Sequence, residues 1–137
     1  MDIRKLTDEL AVAGQIVPGD IPDLAAAGIR AIICNRPDGE APGQASYSEI
    51  EKAAAANGIE IVYQPVSPNS IADSDAEAFG KALSELPKPL LAYCRSGTRC
   101  AVLWSLSEAG KRPAEDILRT AARAGYDLTP FLPRLGK

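Results

Sequence analysis

Apolar residues run along this chain in short, nearly continuous blocks, separated by longer segments in which alanine is interspersed with charge. The blocks Leu10 to Ala13, Ile29 to Cys34, Ile59 to Tyr63 and Leu90 to Cys94 have strand length, and the last three lack the polar alternation of a half-exposed sheet. Runs of that kind suit strands covered on both faces, as in a parallel sheet. Between them the helix punctuation is clear. Asp20 reads as the N-cap of a short helix that Gly28 closes in a left-handed conformation. Ser46 with Glu49 has capping-box spacing before the Ala53 to Ala56 run, which Asn57-Gly58 stops, and Ser74 with Glu77 repeats the device before Phe79 to Leu86, which ends at Pro87. A further helix is expected from Arg99 or Cys100 to Ala109, closed by Gly110, and a last one opens near Pro113 and closes at Gly125. This alternation predicts an α/β fold of three layers, a mostly parallel sheet of four to five strands flanked by helices.

At 137 residues the chain has room for one domain, taken as residues 1–137, with no internal repeat or linker. Acidic residues outnumber basic ones by 18 to 15, giving a formal net charge of −3, so no global field attracts nucleic acid or anionic lipid. Basic clusters also lack neighbouring aromatics on which bases could stack. The first residues mix acid with base and no long apolar stretch comes after them, which predicts a cytoplasmic protein without a membrane span. Three cysteines, Cys34, Cys94 and Cys100, are too few and too irregular for a disulfide framework and form no Cys-x-x-Cys pair, so they are read as thiols. The chain contains no histidine. That excludes Ser-His-Asp and Cys-His nucleophiles and His-ligated zinc, and leaves cysteine, carboxylates, arginine and the backbone to do any chemistry. No cofactor or metal is called for, and the oligomeric state is left open.

The chemistry concentrates where the fourth block ends, in Tyr93-Cys94-Arg95-Ser96-Gly97-Thr98-Arg99-Cys100. A buried strand delivers Cys94 to its carboxyl end, a tight loop comes next and a helix starts at once, which is where an open α/β sheet binds ligands. Backbone N–H groups of Arg95, Ser96, Gly97 and Thr98 can converge there with the positive end of the helix dipole, so the loop is an anion cradle. Gly97 permits the backbone conformation such a turn requires. The helix terminus, with Arg95 and Arg99, is expected to lower the Cys94 thiol from about 8.5 to roughly 3.5–7.5, making it a nucleophile without histidine.

This loop resembles the active-site loops of two related families. Protein tyrosine and dual-specificity phosphatases carry His-Cys, five residues, then Arg; here Tyr93 stands in place of the histidine and four residues separate Cys94 from Arg99. Rhodanese sulfurtransferases often carry Cys-Arg-x-Gly-x-Arg, which Cys94 to Arg99 matches position by position. In dual-specificity phosphatases an upstream Pro-Val-x-Asp segment supplies the acid that protonates the leaving oxygen, whereas here Pro65-Val66-Ser67-Pro68 puts a proline there. Losing a positioned acid costs ester cleavage roughly 10²- to 10⁴-fold. Nearly the whole chain is similar to the phosphatase-like domain of the beta-lactamase-hydrolase-like proteins. The landmarks are Val12-Ala13-Gly14-Gln15, Asn35-Arg36-Pro37-Asp38-Gly39-Glu40, Tyr93 to Arg99 and Ala124-Gly125-Tyr126-Asp127-Leu128. The resemblance implies a dual-specificity-phosphatase-like fold with a rhodanese-type loop. Some members are fused to a metallo-beta-lactamase-like module linked to sulfur oxidation, which implies a partner enzyme of sulfur metabolism; the histidine-rich motif of that module is not in this sequence.

On these grounds the expected activity is sulfur transfer. Cys94 would take the outer sulfur of thiosulfate or a persulfide and pass it to a thiol or cyanide, with Arg99 as the second catalytic residue. Arg36 is expected on the same rim, holding the small anionic substrate, and Asp38 to orient Arg36 or Arg99. Cys100, where both families usually have serine, is a candidate auxiliary thiol. Asp73 and Asp75 are expected to cap the helix after them, Cys34 and Trp104 to pack in the core. Two rival readings remain: a phosphatase acting on a phosphate ester through a cysteinyl-phosphate with Arg99 gripping the phosphoryl oxygens, and a silent module binding an anion or a partner protein through the same cradle.

Overall fold

Four parallel strands end level with one another in the computed structural model, which describes residues 1–136. They are β2 (Leu10–Ala13), β3 (Ala31–Cys34), β4 (Glu60–Tyr63) and β5 (Leu90–Tyr93), joined at one edge by the antiparallel β1 (Ile3–Lys5). The sheet order is β1-β2-β5-β3-β4. Register pairs Ala13 and Cys34 each with Tyr93, and Cys34 with Tyr63, so the residues just beyond these four form one rim.

Alternation along the strands divides the core in two. Leu10, Val12, Ala31, Ile33, Leu90 and Ala92 face α3 (Asp73–Glu85), α4 (Thr98–Glu108) and α5 (Ala114–Arg123), with α6 (Leu132–Leu135) completing that layer. Ala11, Ala13, Ile32, Cys34, Leu91 and Tyr93 face α1 (Ile21–Ala26) and α2 (Tyr47–Ala56). The expected three-layer α/β architecture with a mostly parallel, five-stranded sheet is therefore observed. Two-sided cover explains the continuous apolar runs of β3 and β5. The run at Ile59 to Tyr63 was expected to share that cover. Instead β4 is an edge strand, Glu60 and Tyr63 exposed and Ile61 and Val62 half-buried, because nothing pairs beyond it among the described residues.

α4 is central. Every residue from Arg99 to Leu106 is buried, Trp104 completely, with α3, α5 and α6 packed around it. A helix apolar nearly all round belongs in such a position.

Helix ends differ in detail from the sequence pattern. Ser46 and Glu49 form their capping box as expected, the Ser46 hydroxyl accepting from Glu49 N–H at 3.2 Å. Ser74 and Glu77 do not: the N-cap of α3 lies two residues earlier, at Ala72, and Asp75 reaches back to accept from Ala72 N–H at 2.9 Å. Asp20 stands at the N-cap position of α1 as expected, but its side chain closes the preceding 3-10 turn, accepting from Val17 N–H at 2.9 Å, and makes no cap bond to α1. Gly28, Gly110 and Gly125 all take the positive φ expected of helix stops. No helix among the described residues is long and apolar enough to cross a membrane.

Candidate active site

Gly14, Asn35, Gln64 and Cys94, each one step beyond its strand, share the rim. Cys94 N–H donates to the Ala13 carbonyl at 3.3 Å and Gln15 N–H donates to the Arg95 carbonyl at 3.3 Å, so the loop after β5 is stitched to the continuation of β2. Gly14 makes the close approach possible, since a Cβ there would stand 2.9 Å from the Arg95 carbonyl oxygen. The Val12-to-Gln15 landmark is a seat for this loop.

At the turn itself Gly97 has φ +90° and serves as the N-cap of α4. Its N–H donates to Cys94 Sγ at 3.1 Å. A side chain at 97 would be strained by that φ and would run into the Tyr126 hydroxyl, which itself donates to the Ser96 carbonyl at 3.2 Å. The Ser96 and Thr98 hydroxyls lie 3.2 Å apart on the exposed side of the turn, and Arg95 is exposed beside them.

Cys94 is 1% exposed, yet its thiol is drawn down to about 5. The largest cause is a hydrogen bond with the Cys100 thiol; burial opposes it, and the backbone N–H groups of Cys100, Ser96 and Gly97 add to it. Cys100, completely buried, is pushed well above the usual thiol range by desolvation and by its bond with Cys94. The pair is thus asymmetric: Cys94 the thiolate, Cys100 the S–H that donates to it. The lowered thiol agrees with the sequence expectation, but its principal cause is Cys100 and the amides rather than Arg95 and Arg99. Cys34 and Trp104 pack in the core as expected, Cys34 Sγ donating to the Arg36 carbonyl at 3.4 Å and its thiol pushed up, first of all by burial.

Arg99 is held from the side. Nη1 and Nη2 donate to Glu40 Oε2 and Oε1, both at 2.8 Å, and Nη1 also donates to the Val66 carbonyl at 3.0 Å. Arg36 Nε donates to the same Glu40 Oε1 at 2.9 Å, and Arg36 Nη1 to Gln15 Oε1 at 3.1 Å. Glu40 consequently stays below the usual carboxylate range, the Arg99 hydrogen bond being the largest cause and Arg36 a further one. Bidentate arginine–carboxylate pairs fix orientation as well as charge. Arg99 Nε has no hydrogen-bond partner among the described residues.

Two expectations are corrected here. Asp38 does not orient either arginine: its Oδ1 accepts from Tyr47 N–H at 2.8 Å at the start of α2, and its own N–H donates to Tyr63 Oη at 3.0 Å. Glu40, two residues on, does that work. Arg36 is buried and committed to Glu40 and Gln15 instead of presenting a free cation to a substrate. Sequence reasoning named Glu40 only as part of a landmark and gave Gln15, Val66 and Tyr126 no role. The four-residue spacing of Arg36 and Glu40 in a Pro- and Gly-rich loop was the signal that could have found the pair.

A level rim, a strand-end thiolate and a clamped arginine place the chain among α/β proteins of the phosphatase-like kind, and the comparisons make the assignment specific. The chain belongs to the family described as "Beta-lactamase hydrolase-like protein, phosphatase-like domain", whose model matches residues 2–111. It is 37% identical over 130 residues to the beta-lactamase hydrolase-like protein of Agrobacterium fabrum, a match covering 93% of this chain and 30% of that protein. The chain therefore spans less than a third of the length of that relative. A Neisseria meningitidis protein described as a "putative phosphatase" superposes with a TM-score of 0.90 at 37% identity, covering 99% of this chain and 97% of that one. The active form of Tk-PTP shares the fold, with a TM-score of 0.74 at 16% identity over 98% of this chain and 92% of that chain.

These findings overturn the sulfurtransferase expectation. The family model and the 37%-identical structure are both phosphatase-like, and nothing in them supports sulfur transfer. The expectation gave one missing loop residue and the proline at 68 more weight than the whole-chain likeness to phosphatase-like domains.

Proposed function

We propose that this chain is a phosphatase acting on small anionic phosphate monoesters through a cysteinyl-phosphate. The observation that carries the reading is the Cys94 thiolate at about 5 beneath converging amides, beside an arginine that a carboxylate clamps. The description of the Neisseria meningitidis protein, at 37% identity over nearly the full length, supports it.

In the proposed cycle the phosphoryl oxygens sit on the N–H groups of the 95–99 turn and on Arg99 Nε. Cys94 Sγ attacks phosphorus, an S–P bond forms as the P–O bond breaks, and the leaving oxygen takes the electron pair. Water then attacks phosphorus, the S–P bond breaks and inorganic phosphate departs. The returning thiolate is received by the Cys100 S–H and the Gly97 N–H. Cys94 and Arg99 are the catalytic residues of this reading, and residues 95–98 form the cradle. Glu40 and Arg36 act through Arg99 as positioning residues. A reducing compartment such as the cytoplasm suits three cysteines that stand as free thiols.

The test is phosphate release from p-nitrophenyl phosphate by the wild-type chain and by Cys94→Ser, with acid-quenched protein weighed for a phosphoryl adduct. Release and adduct that both vanish in the variant are expected. Release that persists in Cys94→Ser, or no release from the wild type, overturns the reading.

A further inference from the structure

The rim is well furnished to hold a phosphoryl group, but it offers far less to the other product of cleavage. When a P–O bond breaks, the departing oxygen either receives a proton as it leaves or carries the full negative charge away. A proton donor must come from the loops that surround the cradle, and those loops are short of acids. The segment after β4, residues 64–72, contains no aspartate or glutamate, and Pro68 is exposed in it beside a bridge between Ser67 and Ser70. The 94–97 turn contains none either.

The carboxylates that flank the rim have other work. Asp20 accepts from Val17 N–H at 2.9 Å and Asp38 from Tyr47 N–H at 2.8 Å. Asp75 accepts from Ala72 N–H and Asp73 from Arg134 Nη2, both at 2.9 Å. Glu40 is the carboxylate tied directly to the cradle through Arg99, and it is the least able to donate. It accepts three hydrogen bonds from Arg99 and Arg36, which keep it ionised. Of the hydroxyls at the turn, those of Ser96 and Thr98 pair with each other at 3.2 Å and are alcohols too weakly acidic to act as general acids, while Tyr126 donates its proton to the Ser96 carbonyl and burial pushes its phenol further up. The site is equipped to stabilise the phosphoryl group and leaves the departing oxygen to its own acidity.

We infer that the substrates of this site are phosphoryl donors whose leaving group departs as a stable anion, such as aryl phosphates and acyl phosphates, in preference to alkyl esters. The inference rests on the phosphatase reading above and narrows it. Its chemistry balances without a donor: the P–O electron pair stays on the leaving oxygen, a phenolate then taking a proton from solvent according to its own pKa and a carboxylate remaining ionised.

The test is a leaving-group series on the intact chain. Initial rates at low substrate report kcat/KM for S–P bond formation and are unaffected by later hydrolysis. Substituted phenyl phosphates from nitrophenyl to methoxyphenyl, acetyl phosphate as the acyl arm and glycerol 2-phosphate as the alkyl arm are compared in wild type and Cys94→Ser. The expected result is a fall of about tenfold in kcat/KM for each unit rise in leaving-group pKa, with acetyl phosphate turned over and glycerol 2-phosphate inert. A flat series, or glycerol 2-phosphate cleaved as fast as phenyl phosphate, would show a donor at work and overturn the inference while leaving the phosphatase reading intact. No Cys94-dependent cleavage of even the nitrophenyl ester overturns both.

Discussion

Two loops leave neighbouring parallel strands at the same rim, and each has a buried cysteine at its root. After β3, Cys34 donates to the Arg36 carbonyl and its thiol is pushed up; after β5, Cys94 accepts from the Gly97 N–H and its thiol is drawn down to about 5. Burial is nearly the same, 2% and 1% exposed, and cannot make the difference. The groups that meet each sulfur make it, at Cys94 the Cys100 thiol first and the backbone of the turn after it. The β5 loop turns at Gly97 into α4 and aims N–H groups back at sulfur, whereas the β3 loop presents a carbonyl. A strand-end cysteine is therefore drawn down by the donors that the next segment brings to its sulfur, here the Cys100 S–H first and the amides of the turn with it. The loops also divide the labour: the β5 loop works through its backbone and the β3 loop through side chains, Arg36 and Glu40.

The contrast between the cysteines is the first to break. Cys94→Ser should lower kcat/KM for an aryl phosphate by about 10³-fold or more, while Cys34→Ser should stay within about twofold. Equal losses in steady-state assays of the two variants would remove the contrast. The division of labour within the β3 loop comes next. Glu40→Gln leaves the buried Arg99 without its bidentate partner and should cost about 10² in kcat/KM, because the guanidinium loses its orientation. Asp38→Asn should leave kcat/KM nearly unchanged and cost less than about 1 kcal/mol in denaturant melts, as expected for a carboxylate at a helix start.

The smallest effect concerns pH. A thiol lowered to about 5 means that kcat/KM should rise as pH increases through about 5 and hold level above it, since deprotonation creates the nucleophile. Cys100→Ala removes the largest stabiliser of the thiolate and should move that limb upward by about one unit, so a fixed assay at its foot loses about tenfold. Cys100→Ser, which keeps a donor, should retain the position of the limb. The pH dependence of Cys94 alkylation gives the same reading without substrate; a limb that stays in place in Cys100→Ala would mean the amides alone lower the thiol.

Local signals were legible in the sequence and long-range ones were not. The strand into Cys94, the glycine turn and the helix after it lie within one short segment, so the nucleophile and its cradle could be read there. Glu40 is 59 residues from Arg99, and nothing in either neighbourhood announces the pair. Asp38 looked equally suitable and lies two positions away; only the course of the 35–46 loop separates a carboxylate that starts α2 from one that clamps an arginine. β1 escaped notice because its three residues are all exposed and carry no apolar pattern. The start of α3 shifted because Asp73, Ser74 and Asp75 are all good residues for a helix entrance, and the backbone chose the register that Asp75 could close.

Tyr126 gives the molecule a different kind of boundary. The stretch matched to the family ends at residue 111, past every residue of the cradle and past Glu40, yet the phenol that bears on Gly97 and tethers Ser96 comes from beyond that point, as do α5 and α6 against the buried face of α4. A fragment trimmed to the matched stretch would carry the complete inventory of reactive groups while losing the buttress that keeps their turn in shape. The portable unit of this chemistry is thus longer than its recognisable motif, and grafting the motif onto another scaffold would require importing its tail.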